Sequence, residues 1–186
     1  MTHFLLLASA LHAPPAPDPA EFDARLGQLR GQWLGPVSAQ FPRNGEGSTI
    51  RLKDGRLLHA FSRHSQSPEA NPDLWPGVIV FTYSSDQAKT WTPPQVVFRN
   101  PGGLTAMQPS FVRLPNGRLG VSYSLIDSFT SARKVFRSSD DEGQTWSPET
   151  VISPPGGYWT GAHDRLTVIS GGRILAQLHK IGRAHV

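Results

Sequence analysis

The chain contains no cysteine among its 186 residues, which excludes a disulfide framework, a thiolate metal site and a cysteine nucleophile. It also lacks the short motifs of several large enzyme classes: there is no Gly-rich phosphate loop, no His-Glu-x-x-His segment and no serine in a G-x-S-x-G elbow. Nucleotide hydrolysis, zinc-dependent proteolysis and α/β-hydrolase chemistry therefore find no support, and we expect neither a cofactor nor a metal.

Long apolar runs and charge clusters are scarce as well. The apolar stretch at residues 4–11 is too short to cross a bilayer, so no membrane span is expected. The formal net charge is +4, but the 18 lysines and arginines are scattered along the chain, which does not favour nucleic acid as a partner. The excess of arginine over lysine would suit recognition of a carboxylate, although codon bias produces the same ratio.

The N-terminus resembles a secretory signal peptide. Residues 4–11 form a short apolar core that small residues and a Pro-rich stretch follow, but the usual lysine or arginine is missing before it. A disordered leader and a misassigned start are the alternatives. We expect a signal peptide at residues 1–13, hence a secreted or periplasmic protein. In the leader that follows, residues 14–40, helical spacing predicts a short packing helix with Phe22, Leu26, Leu29 and Trp33 on one face.

One eight-residue pattern, S-x-D-x-G-x-T-W, occurs twice. We call residues 84–91 the first box and residues 139–146 the second box; Ala88 replaces the glycine of the pattern in the first. Asp86 and Asp141 are 55 residues apart (141 − 86), a period that fits one four-stranded unit. An aspartate in such a turn accepts hydrogen bonds from the turn's own amides, so we expect a structural role. The residues with this expected role are Ser84, Asp86, Thr90, Trp91, Ser139, Asp141, Gly143, Thr145 and Trp146.

A second repeat precedes each box and appears once more near the end of the chain. Residues 48–58, 110–120 and 165–175 each hold two apolar runs joined by Asp-Gly, Asn-Gly or Gly-Gly, the dipeptides of tight hairpin turns. With one strand before each box and one after it, a unit has four antiparallel strands, which is one blade of a β-propeller. Solenoid coils have shorter periods and fewer turns. The predicted fold class is all-β, a partial propeller of about two and a half blades over residues 41–180.

A closed propeller ring needs ~4–8 blades, so we expect this chain to be a fragment or an incomplete gene product. The last six residues, 181–186 (IGRAHV), match one reading frame of a widely used sequencing adapter when they are back-translated. We therefore interpret residues 181–186 as an adapter-derived tail and leave them out of the predicted fold. A natural basic tail is the alternative.

The boxes, with the stretch PSFVRLPNGRL at residues 109–119, resemble the Asp-box (BNR-type) repeats of the sialidase (neuraminidase) superfamily, whose members are six-bladed β-propellers. The resemblance covers about residues 41–180. It is more specific for the fold than for the activity, because similar boxes occur in non-catalytic propellers. It implies a glycoside hydrolase that acts on terminal sialic acid or a related sugar of glycoconjugates. Retaining sialidases use a tyrosine nucleophile with a glutamate partner, an aspartate acid/base and arginines that bind the sugar carboxylate.

Several site residues follow from the resemblance by position. Asp73, in the loop before the third strand, corresponds to the acid/base, with a solvated turn residue as the alternative. Arg43 is the arginine nearest to the first one of the family's triad, but it comes two or three residues early and the Ile-Pro that follows is missing. If Glu46 faces the pocket instead, recognition of a carboxylate is lost or inverted and the sugar is a different one. Arg63 resembles the arginine of the second strand, or is an exposed loop residue.

Further candidates lie at the expected entrances of the later inner strands, where side chains face the central pocket. They are Gln108 in the second blade and His163, Asp164 and Arg165 in the third, after the aromatic residues 158–159. Ion pairing between blades is the alternative role. Two functions remain open. The chain is part of a sialidase-like glycosidase whose nucleophile and other arginines lie beyond Lys180, so that it hydrolyses nothing alone, or it is a non-catalytic propeller that binds glycans or proteins.

Overall fold

The computed structural model describes residues 34–182. The signal-peptide prediction, the predicted leader helix and the last four residues of the tail lie outside this range. Within it the chain forms twelve β-strands and two short 3₁₀ turns, at Pro72–Leu74 and Ser170–Gly172. No helix among residues 34–182 is long and apolar enough to cross a membrane.

Two four-stranded antiparallel blades make up most of this region, and in each blade the strands follow one another in sequence order. The predicted turns join them because Gly55 and Gly117 have φ angles of 90° and 81°, which the hairpins require. The strands of blade one are β1 (Arg43–Arg51), β2 (Leu57–His64), β3 (Gly77–Ser84) and β4 (Gln95–Phe98), and those of blade two are β5 (Thr105–Arg113), β6 (Leu119–Ser128), β7 (Ser131–Ser139) and β8 (Thr150–Val151).

A third unit consists of one interrupted hairpin. Its two pairs, β9 with β12 and β10 with β11, are both antiparallel. In chain order β9 and β10 correspond to the first strand of a blade, split by residues 161–165, and β11 and β12 correspond to its second strand. The all-β partial propeller of about two and a half blades is therefore confirmed. The bounds are β9 (Tyr158–Thr160), β10 (Leu166–Val168), β11 (Ile174–Ala176) and β12 (His179–Ile181).

Among residues 34–182, backbone pairing between units consists of single parallel bridges. Gly77 of β3 pairs with Thr105 of β5, and Ala132 of β7 pairs with Tyr158 of β9. A Cβ atom at position 77 would collide with the side chains of Thr105 and His64, so glycine is needed where blade one meets blade two. The orientation of one blade on the next consequently depends on side-chain packing.

An aromatic cluster supplies that packing. Phe81 and Phe98 of blade one meet Phe111, Tyr123 and Trp146 of blade two. The rings of Phe98 and Tyr123 stack with centroids 4.7 Å apart, and Phe81 meets Phe111 edge-on at 5.4 Å. Such pairs contribute about 0.5–1.5 kcal/mol each beyond the area that they bury. The main hydrophobic core is thus shared between the two blades.

The second box is a self-contained hydrogen-bonded turn. The Ser139 hydroxyl donates to Asp141 Oδ1 at 2.7 Å and accepts from the Gly143 amide at 2.8 Å. The Thr145 amide and hydroxyl donate to the two oxygens of Asp141 at 2.8 and 2.6 Å. The first box repeats these bonds with Ser84, Asp86, Ala88 and Thr90.

The glycine position of the boxes allows a paired stability test. Ala88 has a φ of 68° and Gly143 a φ of 90°, both in the left-handed region, where a Cβ is strained. We expect Ala88→Gly to raise the free energy of unfolding by up to about 1 kcal/mol and Gly143→Ala to lower it by about 1 kcal/mol or more. Urea denaturation of the two variants measures both changes. Equal effects of the same sign would contradict the strain argument.

The Asp141 carboxylate should contribute to acid stability. Hydrogen bonds from Thr145 and Ser139 lower its pKa from 3.8 to about 2. The ionised form therefore stabilises the fold above the unfolded pKa, and this contribution is lost as pH falls from about 4 to about 2. Asp141→Asn should unfold at a lower temperature at neutral pH and show a flatter decline through that acid window. The neighbouring Asp140→Asn, on a side chain that is 77% exposed, is the control; identical acid profiles for both variants would rule the role out.

Candidate functional site

A cavity of about 260 Å³ lies where the three units meet, beside the 3₁₀ turn at Pro72–Leu74. Its polar lining comes from Asn71, Asp73, Gln108, Tyr158 and Thr160, and its apolar lining from Leu74, Met107, Ile126, Phe129 and Ile181. Ile181 is the last residue of β12 and the first residue of the predicted tail. A wider groove of about 750 Å³ follows β4 and the second box on the outer side of the blades. We take the smaller cavity as the candidate site because it combines an apolar wall with a few convergent polar groups.

The first strand of each unit is interrupted at a residue with positive φ. The β1–β2 pairing shifts around Glu46, whose φ is 54°, and the β5–β6 pairing shifts around Gln108, whose φ is 61°. Asp164, with a φ of 53°, lies between β9 and β10. Bulges re-aim side chains, and left-handed non-glycine residues concentrate at functional sites. Gln108 therefore lies in the middle of its strand and not at the predicted entrance, because the bulge lets β5 continue past it.

Gln108 connects all three units through hydrogen bonds. Its Oε1 accepts from the hydroxyls of Thr160, at 2.6 Å, and Ser124, at 3.0 Å. The backbone N–H of Gln108 donates to Ser62 Oγ at 3.0 Å, and the Ser62 hydroxyl in turn donates to Glu46 Oε2 at 3.4 Å. The structure thus brings the predicted residues Glu46 and Gln108 together through one shared serine.

A buried lysine lies beneath this network. Lys134 Nζ donates to the backbone carbonyls of Gln108, at 3.1 Å, and Gly161, at 3.3 Å, and to Ser124 Oγ at 3.4 Å. Burial lowers its pKa from 10.5 to about 8, against the opposing influence of the Glu46 carboxylate. Lys134 was not among the residues predicted from the sequence. A signal was available, since the 55-residue period aligns Lys134 with the buried Ile79 of blade one.

Arg43 and Asp73, both expected at the site, form an ion pair. Arg43 Nη2 lies 2.6 Å from Asp73 Oδ1, and Nη1 donates to the Pro72 carbonyl at 2.9 Å. The Asp73 side chain is 56% exposed, on the cavity wall. His64 is buried nearby, and its burial, with a smaller contribution from Arg43, lowers its pKa to about 4. Asp73 is therefore accessible to a ligand, while the Arg43 guanidinium is already engaged.

Tyr158 lines the cavity and lies within electrostatic range of the Asp73 and Glu46 carboxylates. Its partial burial raises its pKa, and the charges of Asp73 and Glu46 raise it further. A tyrosine in this environment stays protonated and can donate a hydrogen bond. Tyr158 belongs to the aromatic stretch at residues 158–159, but it was not among the predicted site residues.

The remaining predicted residues lie outside the cavity. Arg63 packs over the rings of Phe41 and Phe61, 4.9 and 5.5 Å from their centroids, and donates to Asn44 Oδ1 at 3.2 Å. This arginine is partly buried against aromatic rings of blade one.

The loop of the third unit reaches the other two blades. Asp164 Oδ1 accepts from the Ser48 hydroxyl of blade one at 2.8 Å, and the Arg165 amide donates to the Ser110 hydroxyl of blade two at 3.3 Å. His163 is exposed. Among residues 34–182 there is no group of three or more histidine, aspartate or glutamate side chains that could hold a metal ion.

The depressed pKa of Lys134 has a measurable consequence for stability. Between about pH 8 and pH 10.5 the unfolded chain binds more protons at this lysine than the folded chain, so its contribution to stability rises with pH. Relative to Lys134→Met, the unsubstituted chain should gain about 2 kcal/mol in unfolding free energy between about pH 7 and pH 10. Urea denaturation at both pH values measures this, and Lys53→Met, at a side chain that is 59% exposed, controls for loss of one charge. A difference that does not change with pH would show that Lys134 is not desolvated.

No protein-family model and no curated protein matches the chain. Among solved structures it is similar to the Hadza microbial sialidase Hz136, with a TM-score of 0.61 and 16% identity over 77% of this chain and 34% of that one. It is also similar to the NanB sialidase of Streptococcus pneumoniae, with a TM-score of 0.57 and 9% identity over 84% and 44% of the two chains. For the α-L-arabinanase of Penicillium chrysogenum the TM-score is 0.54, with 23% identity over 73% and 41%.

These identities establish the fold alone, and the chain spans less than half the length of each of the three structures. The predicted likeness to sialidases is confirmed at that level. The fold is that of a sialidase-type β-propeller, which glycoside hydrolases of more than one specificity share.

Proposed function

We propose that this chain carries part of the sugar-binding site of a glycoside hydrolase, and that the cavity beside the 3₁₀ turn takes a terminal sugar of a glycoconjugate. One observation supports this most directly. Asp73 of blade one, Gln108 of blade two and Thr160 of the third unit line a single cavity with an apolar wall. Sugar rings need such a combination, because they present hydroxyl groups at the edge and C–H groups on the faces.

Each polar group has a role that its contacts allow. Asp73 is the candidate acid/base, since its carboxylate is accessible and the ion pair with Arg43 fixes its orientation. Two hydroxyl groups donate to Gln108 Oε1, and the buried Lys134 donates to the Gln108 backbone carbonyl. The side-chain amide of Gln108 is therefore preorganised for a sugar hydroxyl. Tyr158, whose pKa is raised, acts as a hydrogen-bond donor.

The charges of the site favour a related sugar without a carboxylate over sialic acid. Two acidic side chains, Glu46 and Asp73, influence Tyr158 at the cavity wall. The nearby cations of the described residues are engaged elsewhere: Arg43 by Asp73, and Lys134 by carbonyl and hydroxyl oxygens. A substrate carboxylate would therefore meet like charges. The structural similarity to an α-L-arabinanase shows that this fold also serves enzymes named for a neutral sugar.

A non-catalytic glycan-binding propeller is the second candidate. The cavity lining favours it, because Asp73, Gln108 and Thr160 can form hydrogen bonds with sugar hydroxyl groups as they stand, whereas hydrolysis needs further groups. Under either function we place the protein in the periplasm or outside the cell, on the basis of the signal-like residues 1–13.

The variant Asp73→Asn tests whether the Asp73 carboxylate binds a ligand or only forms a surface ion pair with Arg43. We expect a panel of methyl glycosides, including the α-L-arabinofuranoside and the α-sialoside, to show binding of a neutral member by ligand-observed NMR. Asp73→Asn should weaken that binding about tenfold, because it replaces a charged hydrogen-bond acceptor with a neutral one. The matched control is Asp54→Asn, whose side chain is 50% exposed and paired with Arg56 at 2.7 Å; its affinity should not change.

The panel also tests the choice of sugar. Preferential binding of the α-sialoside would overturn the neutral-sugar assignment, and binding of no glycoside at all would overturn the proposed site. We expect no release of 4-methylumbelliferone from its sialoside by this chain alone. Such release would contradict the expectation that further groups are needed for hydrolysis.

A further inference from the structure

A second cavity adjoins the proposed sugar site. It has a volume of about 450 Å³, and its apolar lining comes from Pro68, Leu74, Pro76, Leu104 and Phe129. Leu74 and Phe129 also line the sugar cavity, so the two spaces share one apolar wall. Polar side chains are concentrated in the first cavity and apolar side chains in the second.

The shared wall has a fixed floor and an exposed rim. Leu74 is only 5% exposed and packs with Met107, Ile126 and Ala132 in a small core cluster of its own. Phe129 lies at the tip of the β6–β7 hairpin and is 60% exposed, although its ring would be expected to pack in a core. An exposed aromatic ring at the rim of a preformed cavity is available for a ligand.

The opposite wall is held rigid by its own hydrogen bonds. The Trp75 indole donates to the Glu69 carbonyl at 2.7 Å, and the Glu69 carboxylate accepts from the Asn71 amide at 3.0 Å. The Ser65 amide donates to the Pro76 carbonyl at 2.9 Å. The second cavity is therefore shaped before a ligand binds, and the one carboxylate on its wall is already partnered.

We propose that this second cavity binds the apolar aglycone, an aryl or alkyl group, of the glycoside whose sugar occupies the first cavity. The proposal rests on the proposed function. The proposal is based on the positions of two adjacent residues. Asp73, the candidate acid, lines the sugar cavity, and Leu74 lines both the sugar cavity and the second cavity. The glycosidic oxygen, placed at Asp73, then lies at the border between the cavities, with the sugar on the Gln108 side and the aglycone on the Phe129 side.

The test compares three probes on the unsubstituted chain: methyl α-L-arabinofuranoside, 4-nitrophenyl α-L-arabinofuranoside and free 4-nitrophenol, each titrated by NMR. We expect the aryl glycoside to bind about tenfold more tightly than the methyl glycoside, because its ring leaves water for the apolar cavity. Leu104→Ala should remove most of this advantage and leave the affinity of the methyl glycoside unchanged, because Leu104 lines the second cavity and not the sugar cavity. Leu104→Met should retain most of the advantage. Leu175→Ala, at another exposed apolar side chain, is the control and should change neither affinity.

The outcomes distinguish this inference from the proposed function. Equal affinities for the methyl and aryl glycosides, with no effect of Leu104→Ala, would overturn the aglycone cavity and leave the sugar site intact. An equal gain from arabinobiose would assign the second cavity to another sugar and likewise overturn the inference. If neither glycoside binds but 4-nitrophenol binds and Leu104→Ala weakens that binding, the apolar cavity is supported and the sugar site is wrong. Unchanged thermal midpoints of the variants exclude a folding defect.

Discussion

The structure depends on a hydrophobic face that no single blade can bury. Phe81 and Phe98 of blade one contact each other and also meet Phe111, Tyr123 and Trp146 of blade two. The polar atoms of these rings have partners: the Tyr123 hydroxyl accepts from Arg137 Nε at 2.8 Å and donates to Glu149 at 3.0 Å, and Trp146 Nε1 donates to the Gly143 carbonyl at 3.1 Å. Because the backbone bridge between these blades is a single residue pair, the aromatic cluster determines how one blade sits on the next. Repeat proteins of this kind gain their stability at the contacts between neighbours.

The candidate site inherits its geometry from this interface. Glu46 and Gln108 stand on different blades, and their shared contact with Ser62 is possible only when the inner strands are held at a constant distance. Lys134 then extends the connection from blade two to the Gly161 carbonyl of the third unit. The part of the candidate site that is built on β-strands is rigid. The part that carries Asp73, on the Pro72–Leu74 turn, is more exposed. Preorganised hydrogen bonding on one side and an accessible carboxylate on the other are what glycoside recognition requires.

The features that could be predicted from the sequence are those whose conformation depends on adjacent residues. The dipeptides Asp-Gly, Asn-Gly and Gly-Gly form the hairpin turns. The boxes are stabilised by hydrogen bonds of their own serine, threonine and aspartate side chains. Prediction failed where distant residues decide. The position of a bulge depends on the register of two strands, which is why Gln108 was expected at a strand entrance. The burial of Lys134 depends on the carbonyl groups of Gln108, on another strand of its blade, and of Gly161 in the third unit. The partners of Arg63 are aromatic rings whose side of the strand is determined only in the folded blade.

Three left-handed residues, Glu46, Gln108 and Asp164, interrupt the first strand of their respective units. None of them belongs to the aromatic cluster that joins the blades. Of the three, Gln108 lines the cavity, so its exchange would change the lining and the hydrogen bonds to Ser124 and Thr160 while the aromatic cluster stays unchanged. The left-handed conformation also restricts the exchange, since short polar residues and glycine tolerate it and β-branched residues do not. The bulge that positions Gln108 at the cavity therefore also limits which side chains evolution can place there.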